Sequence, residues 1–224
     1  MLRVRLLPAE GGLIAPTVHN DLQLESWRNS ILVALAVVPL TLAISVPAAY
    51  ALGRLRFRYR NLLLVTVVLT RAHPPVAVAI PFHYMFLRLG VDGTLYAIVL
   101  AHLTLTIPLV TWIMSGFFAG LPRSLEWAGR VDGLSRFGVI RHVVPPLALP
   151  GVAACAVIAF LTSWSDYFFA GAIMSGTLSG HTIPMTVKVS PPAYLVLSLV
   201  PVLALALALQ RAIRSMRIAG PLLW

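Results

Sequence analysis

The residue types that most often carry out chemistry are few and scattered in this chain. Its 224 residues include seven carboxylates, six histidines and one cysteine. The histidines lack the spacing of a metal site, and Cys155 lies in an apolar run, where it should be a small packing residue. A phosphate-binding loop needs Gly-Lys-Ser/Thr, but the only lysine, Lys188, stands between two valines. The sequence therefore predicts no catalytic site, no metal, no cofactor and no ATP site of its own.

Arg71 is the first residue that could contact a transported solute. It follows Asn61 by ten residues, which places it ~15 Å into a bilayer, where a charge costs ~2.5–3.5 kcal/mol on insertion scales. It should face a bundle interior, and the Pro74-Pro75 pair should interrupt the helix. Interrupted helices at the midplane often line substrate paths. The alternative role is structural, with Arg71 bonding carbonyls freed at the kink.

Asp166 is the second candidate, in the stretch SWSDYFFA. If its helix starts near Leu149, Asp166 lies ~25 Å along it and ~10 Å higher than Arg71, so no direct pair is expected. The neighbouring Trp164 and Tyr167 favour an interfacial aromatic belt. The alternative is an outer gate for a sugar, since aromatic faces and carboxylates suit hydroxylated ligands.

The elements that position these residues follow from composition. The chain is 59% hydrophobic and only 11% charged, whereas soluble domains carry about 25% charged residues. Four stretches without charge are long enough to span a bilayer, and a fifth is broken only by Arg71 and the proline pair. We predict an all-α integral membrane protein, a polytopic bundle of five transmembrane helices. The five runs are 29–53, 61–87, 93–122, 143–165 and 189–210.

The placement of the basic residues predicts the topology. Segments 54–60, 123–141 and 211–217 hold most of the 17 basic residues, and such an excess marks the cytoplasmic side. This placement explains the net charge of +10 without nucleic acid, and it puts the C-terminus in the cytoplasm. The N-terminus is then expected outside, and we expect residues 1–28 to be a polar segment that is neither a signal peptide nor an anchor. A sixth, N-terminal helix would resolve this, and we expect that the sequence lacks one.

A polar segment separates the third and fourth runs. Apolar residues at three-residue spacing predict a short amphipathic helix over 123–131. Asp132-Gly133 is a turn dipeptide, and Ser135 is a candidate N-cap for a second short helix. Prolines from Pro145 onward mark the return into the membrane. A docking surface for a partner and a connector lying on the headgroups fit this pattern equally well.

This segment resembles the EAA loop of permease subunits in binding-protein-dependent ABC importers, which reads E-A-A, three residues, Gly, nine residues, I-x-L-P. Trp127 replaces the motif Glu, Gly129 replaces the second Ala, and Pro145 replaces the Leu. Glu126 and the stretch RVDG resemble the carbohydrate branch. The resemblance assigns an ATPase-coupling loop to 122–146, with Leu125, Glu126, Trp127, Ala128, Gly129, Arg130, Asp132, Gly133, Val143 and Pro146 as its site residues.

The resemblance extends over the chain from residue 29 onward. NSILVAL, AAYALGRLRF, TRAHPPV, LPRSLEWAGRVDG, PLALPG, SWSDYFFA and TIPM occur in the order of the maltose-type permease subunit. That family has six spans, and we expect that this sequence lacks the first of them. The resemblance implies a transmembrane domain over 29–217 with a tail at 218–224, in a prokaryotic plasma (inner) membrane.

The resemblance also implies an activity and partners. The substrate would be a sugar or related polyol, with ATP bound by two separate ATPase subunits. The other partners would be a second related permease subunit, an extracytoplasmic binding protein and the lipid bilayer. The alternatives are a secondary transporter not driven by ATP, for which Asp166 is the one candidate coupling carboxylate, and an inactive truncated permease remnant.

Overall fold

The described part of the chain is helical throughout its regular structure. The computed structural model describes residues 16–72, 74–173, 182, 199–205, 207 and 211, with the backbone alone for 16–23, 75 and 76. The helices are α1 (Pro16–Arg54), α2 (Arg60–Leu69), α3 (Pro75–Leu89), α4 (Leu95–Gly120), α5 (Arg123–Val131), α6 (Arg136–His142), α7 (Val144–Trp164) and α8 (Phe168–Ile173). The predicted all-α class is confirmed.

Among the described residues, three helices are long and apolar enough to cross a membrane: Leu24–Arg54 within α1, then α4 and α7. They correspond to three of the five predicted runs. The run 189–210 lies largely outside the described residues. Helix α1 covers the described residues from Pro16 onward, so the second half of the segment predicted to be polar and separate, 1–28, belongs to the first helix.

The predicted interruption of the run 61–87 is confirmed. It forms two helices, α2 and α3, and Pro74 between them has an extended backbone with ψ 136°. Proline lacks an N–H and disfavours the α conformation in the residue before it, so the helix ends ahead of the pair and restarts with Pro75 in its first turn. At 1.5 Å per residue α2 is ~15 Å long and α3 ~22 Å, so neither crosses a bilayer alone.

Helix α4 is the centre of the bundle. Half of its span is buried, against 28% for the spans of α1 and α7. Two apolar clusters meet on it: one around Val37, Phe86 and Ile98 with α1, α3 and α8, and one around Met114 and Phe118 with α1, α6 and α7. Cys155 belongs to the second cluster and is buried, as predicted for a packing residue.

Helices α1 and α4 are joined at close range by small and hydroxyl side chains. A Cβ on Gly53 would lie 2.6 Å from the carbonyl oxygen of Ser115, so only glycine permits this approach. Further along, the hydroxyls of Thr41 and Thr106 lie 2.6 Å apart, and Ser45 donates to a carbonyl of α4 at 3.1 Å. Such contacts hold helices together where lipid removes the hydrophobic drive between them.

Candidate functional site

The 122–146 loop folds as its local signals predict. Helix α5 covers Arg123–Val131, and Gly133 follows in the left-handed region with φ +88°. The amide of Leu134 donates to the carbonyl of Gly129 and that of Gly133 to Arg130, a Schellman arrangement that satisfies the last carbonyls of the helix. Ser135 Oγ accepts from the amide of Gly138 at 3.1 Å. The predicted helix, turn and N-cap are therefore all confirmed.

The inner face of the loop packs on the start of α7. Gly129 is buried, and a Cβ there would meet the Val143 side chain at 3.0 Å. Val139 of α6 is buried beside them, and Pro146 lies in the first turn of α7. The structure thus brings Gly129 and Val143 together, and it gives a steric reason for glycine in place of the second alanine of the EAA motif.

The outer face of the loop is apolar and basic, with nothing of the described chain over it. Trp127 is 63% exposed, and the guanidinium of Arg130 lies 5.7 Å from the centre of its ring. An exposed apolar patch of this kind rimmed by charge marks an interaction surface. We call it the outer loop face; its exposed apolar members are Leu125, Trp127, Val131, Phe137 and Ile140.

Glu126 points away from that face, toward the end of α1. Its Oε1 lies 2.7 Å from Nε of Arg54. The Arg54 guanidinium also donates to the carbonyls of Leu121 and Pro122, at 2.8 and 3.3 Å. One side chain therefore ties α1 to the junction between α4 and α5. Arg54 was predicted only as part of a basic segment, and its structural role was missed.

Arg71 lies at the break between α2 and α3. Its Nη1 donates to the carbonyl of Leu105 on α4 at 3.2 Å, in the turn where Pro108 deprives α4 of an amide donor. Arg71 and Pro108 line a small cavity of about 110 Å³ with Trp112. Arg71 was expected to face the bundle interior; it bonds α4 but is exposed in the single chain, and the carbonyl that it bonds belongs to the neighbouring helix.

Asp166 is buried in a hydrogen-bond network. Its side chain is 7% exposed, and Oδ2 lies 3.2 Å from Nε2 of His102. The amides of Phe169 and Ala170 donate to the same oxygen, so Asp166 caps α8. The other ring nitrogen of His102 lies 2.9 Å from Ser163 Oγ. Asp166 and Arg71 have different partners, as predicted, and the role of His102 was missed because no local pattern marks it.

Trp164 contradicts the aromatic-belt prediction. It is only 6% exposed, stacked on Phe160 at 5.2 Å and edge-on to Trp27 at 5.9 Å. The physical reason is that α1 includes residues on the N-terminal side of residue 29, among them Trp27, which contacts Trp164. Tyr167 remains 40% exposed. Within the described ranges, no three His, Cys, Asp or Glu side chains come close enough to hold a metal ion.

A helical bundle whose described residues include three candidate membrane spans, with two short basic helices at one end, indicates an integral membrane protein. Residues 45–219 match the model of the family described as "Binding-protein-dependent transport system inner membrane component". The chain belongs to this family, which is a family of transport proteins and not of catalytic enzymes. It is accordingly an integral protein of the inner membrane.

Two relatives and one solved structure are similar to this chain over most of its length. The chain is 32% identical over 225 residues to the sulfoquinovosyl glycerol transport system permease protein SmoH of Agrobacterium fabrum, covering 93% of this chain and 79% of that protein. It is 29% identical over 219 residues to the trehalose/maltose transport system permease protein MalG of Thermococcus litoralis, covering 92% and 77%. A bacterial ABC transporter involved in the import of the acidic polysaccharide alginate has the same fold, with TM-score 0.66, 23% identity, and 94% and 83% coverage.

Proposed function

We propose that this chain forms part of the translocation path of an ABC importer for a sugar or related polyol. Similar permeases are named for trehalose/maltose and for sulfoquinovosyl glycerol, and all three of these are hydroxyl-rich solutes. The energy comes from ATP bound and hydrolysed by two separate ATPase subunits. A second related permease subunit completes the path, and an extracytoplasmic binding protein delivers the solute.

The outer loop face is the observation that carries the proposal. Helices α5 and α6 are held at a defined angle by the Gly133 turn and seated on α7 through Gly129. Their outer side presents Trp127 and Phe137 to solvent, and aromatic residues with arginine are the usual anchors of protein interfaces. The ATPase subunit is the partner that we assign to this face. The basic ends of the helices then lie in the cytoplasm, together with the C-terminus.

We assign the solute path to the break between α2 and α3. Arg71 there offers a guanidinium that is exposed in the single chain, and the Pro74-Pro75 break leaves backbone groups at membrane depth, a feature of solute paths. Asp166 and Trp164 have a supporting role instead, since both are buried in contacts within the chain. Tyr167, which is exposed, is the member of that stretch assigned to the outer end of the path.

A pull-down from native membranes tests this function. The tagged chain should retain an ATPase, a second permease and a binding protein, and mass spectrometry of ligand released from the binding protein should identify a sugar or polyol. The chain purified alone should hydrolyse no ATP. Recovery of the chain without an ATPase, together with solute uptake that ATP depletion leaves unchanged, would contradict the proposal and favour the secondary-transporter alternative.

A further inference from the structure

The link between α1 and α2 alternates arginine with apolar residues, and its arginines divide into two kinds. Arg54 and Arg60, at the two ends, turn inward: Arg54 bonds Glu126, and Arg60 donates to the carbonyl of Leu52 at the end of α1. Arg56 and Arg58, between them, are exposed. No carboxylate in the described part of the chain pairs with either of these two. The segment between α1 and α2 thus exposes two positive charges, those of Arg56 and Arg58.

The residues between these arginines are exposed as well. Leu55, Phe57 and Tyr59 all face outward, and the Arg58 guanidinium lies 5.8 Å from the centre of the Tyr59 ring. A connector in water would be built from polar and turn-forming residues. Aromatic and aliphatic side chains alternating with arginine suit the headgroup region instead, where apolar bodies and charged tips are both accommodated.

A groove between α2 and α4 begins beside this link. Arg60 stands at its end, and its volume is about 390 Å³. None of the residues of α2 is buried, so the groove is open along that helix. Trp112 lines both this groove and the separate cavity at Arg71, so its side chain lies between the two spaces. The residues lining the groove are Arg60, Leu64, Trp112, Ile113, Ser115, Gly116 and Ala119.

We infer that the link and the groove together bind one anionic phospholipid, with its phosphate held by Arg56 and Arg58 and an acyl chain lying in the groove as far as Trp112. Guanidinium groups bind phosphate through paired, charge-assisted hydrogen bonds, and basic clusters next to a spanning helix are attracted to anionic lipid. The apolar lining takes the chain, which a free phosphate lacks. The inference requires only that the protein spans a membrane, so it does not depend on which solute the protein transports.

Quenching of Trp112 fluorescence tests the site. The full chain is reconstituted in phosphatidylcholine vesicles that contain a minor fraction of dibrominated phosphatidylglycerol or, in a matched sample, dibrominated phosphatidylcholine. Bromine on the acyl chains should quench more strongly when carried by phosphatidylglycerol, and Trp112→Phe should remove the difference. Arg56→Gln with Arg58→Gln should lower the apparent preference for phosphatidylglycerol by about tenfold or more.

Matched controls separate this site from general surface charge and from other occupants. Arg136→Gln with Arg141→Gln removes the same charge at the same end of the bundle and should keep the preference. Equal loss in both double variants, or no preference in the unaltered chain, would overturn the inference. Displacement of the brominated lipid by glycerol phosphate would show a soluble phosphate site instead. Quenching present in the isolated chain but lost in the complex purified from native membranes would make the groove an interface with the second permease.

Discussion

Arg54 Nε and Glu126 Oε1 lie 2.7 Å apart, which joins the last residue of α1 to the first turn of α5 across 72 residues of sequence. The Arg54 side chain is 4% exposed and that of Glu126 25%. Because the same guanidinium holds two carbonyls before α5, the loop is attached to α1 as well as to its flanking helices. A force on α5 therefore reaches the α1–α4 pair directly.

This ion pair changes the expected effect of Glu126 substitutions. As a partly exposed pair it would contribute under ~1 kcal/mol. With Arg54 buried, Glu126→Ala removes the acceptor and should instead cost about 1.5–3 kcal/mol, the range for hydrogen bonds to charged groups. Thermal unfolding of the purified protein in detergent measures this. Glu25→Ala, which removes an exposed carboxylate of α1, is the control, and an equal effect of the two substitutions would contradict the structural role.

Gly133 should act as the hinge of the loop through its backbone alone. Its φ of +88° disfavours other residues, and a Cβ there would meet nothing within 4 Å. Gly133→Val should cost about 1–3 kcal/mol of strain and should weaken co-purification of the ATPase and solute uptake. Gly133→Asn should be milder, because asparagine tolerates positive φ. Gly120→Ala, which also meets nothing, should be neutral. Unchanged assembly and uptake for Gly133→Val would make the loop a passive connector.

Asp166→Asn distinguishes the importer from a carboxylate-coupled secondary transporter. Asparagine still accepts the amide hydrogen bonds that cap α8, so the fold and ATP-driven uptake should persist at a large part of the unaltered rate. Asp166→Leu should lose the cap and the His102 bond together and should be poorly folded. Uptake in membrane vesicles, with ATP or with an imposed proton gradient, is the measurement. Abolition of uptake by Asp166→Asn in well-folded protein would favour the secondary transporter.

Features set by local signals were predictable from the sequence, and those set by distant contacts were not. The bounds of α5, the Gly133 turn and the Ser135 cap depend on residues a few positions apart, as does the break at Pro74. Arg54 with Glu126 and His102 with Asp166 lie 72 and 64 residues apart, and nothing nearby marks them as partners. The prediction for Trp164 was wrong for the same reason. Its neighbour Trp27 lies on a part of α1 that was predicted, from its polar residues, to be a separate segment.

The orientation of the bundle follows from the arginines and can be tested by labelling. Single cysteines at Ser124 and at Tyr96, which is exposed at the other end of α4, in a chain with Cys155→Ser, place a thiol at each end. A membrane-impermeant maleimide added to intact cells should label position 96 and leave position 124 unlabelled until the membrane is opened. Labelling of position 124 from outside would reverse the topology and remove the outer loop face from the cytoplasm.

Photo-crosslinking from position 127 tests the central claim most directly. Benzoylphenylalanine replaces Trp127 on the outer loop face or, as control, Tyr96, which is also an exposed aromatic residue and lies at the opposite end of α4 from the loop. After irradiation of native membranes, the account predicts that position 127 crosslinks to a subunit that contains a phosphate-binding loop and that position 96 does not. Crosslinking of position 127 to lipid alone, with no ATPase subunit recovered, would contradict the account.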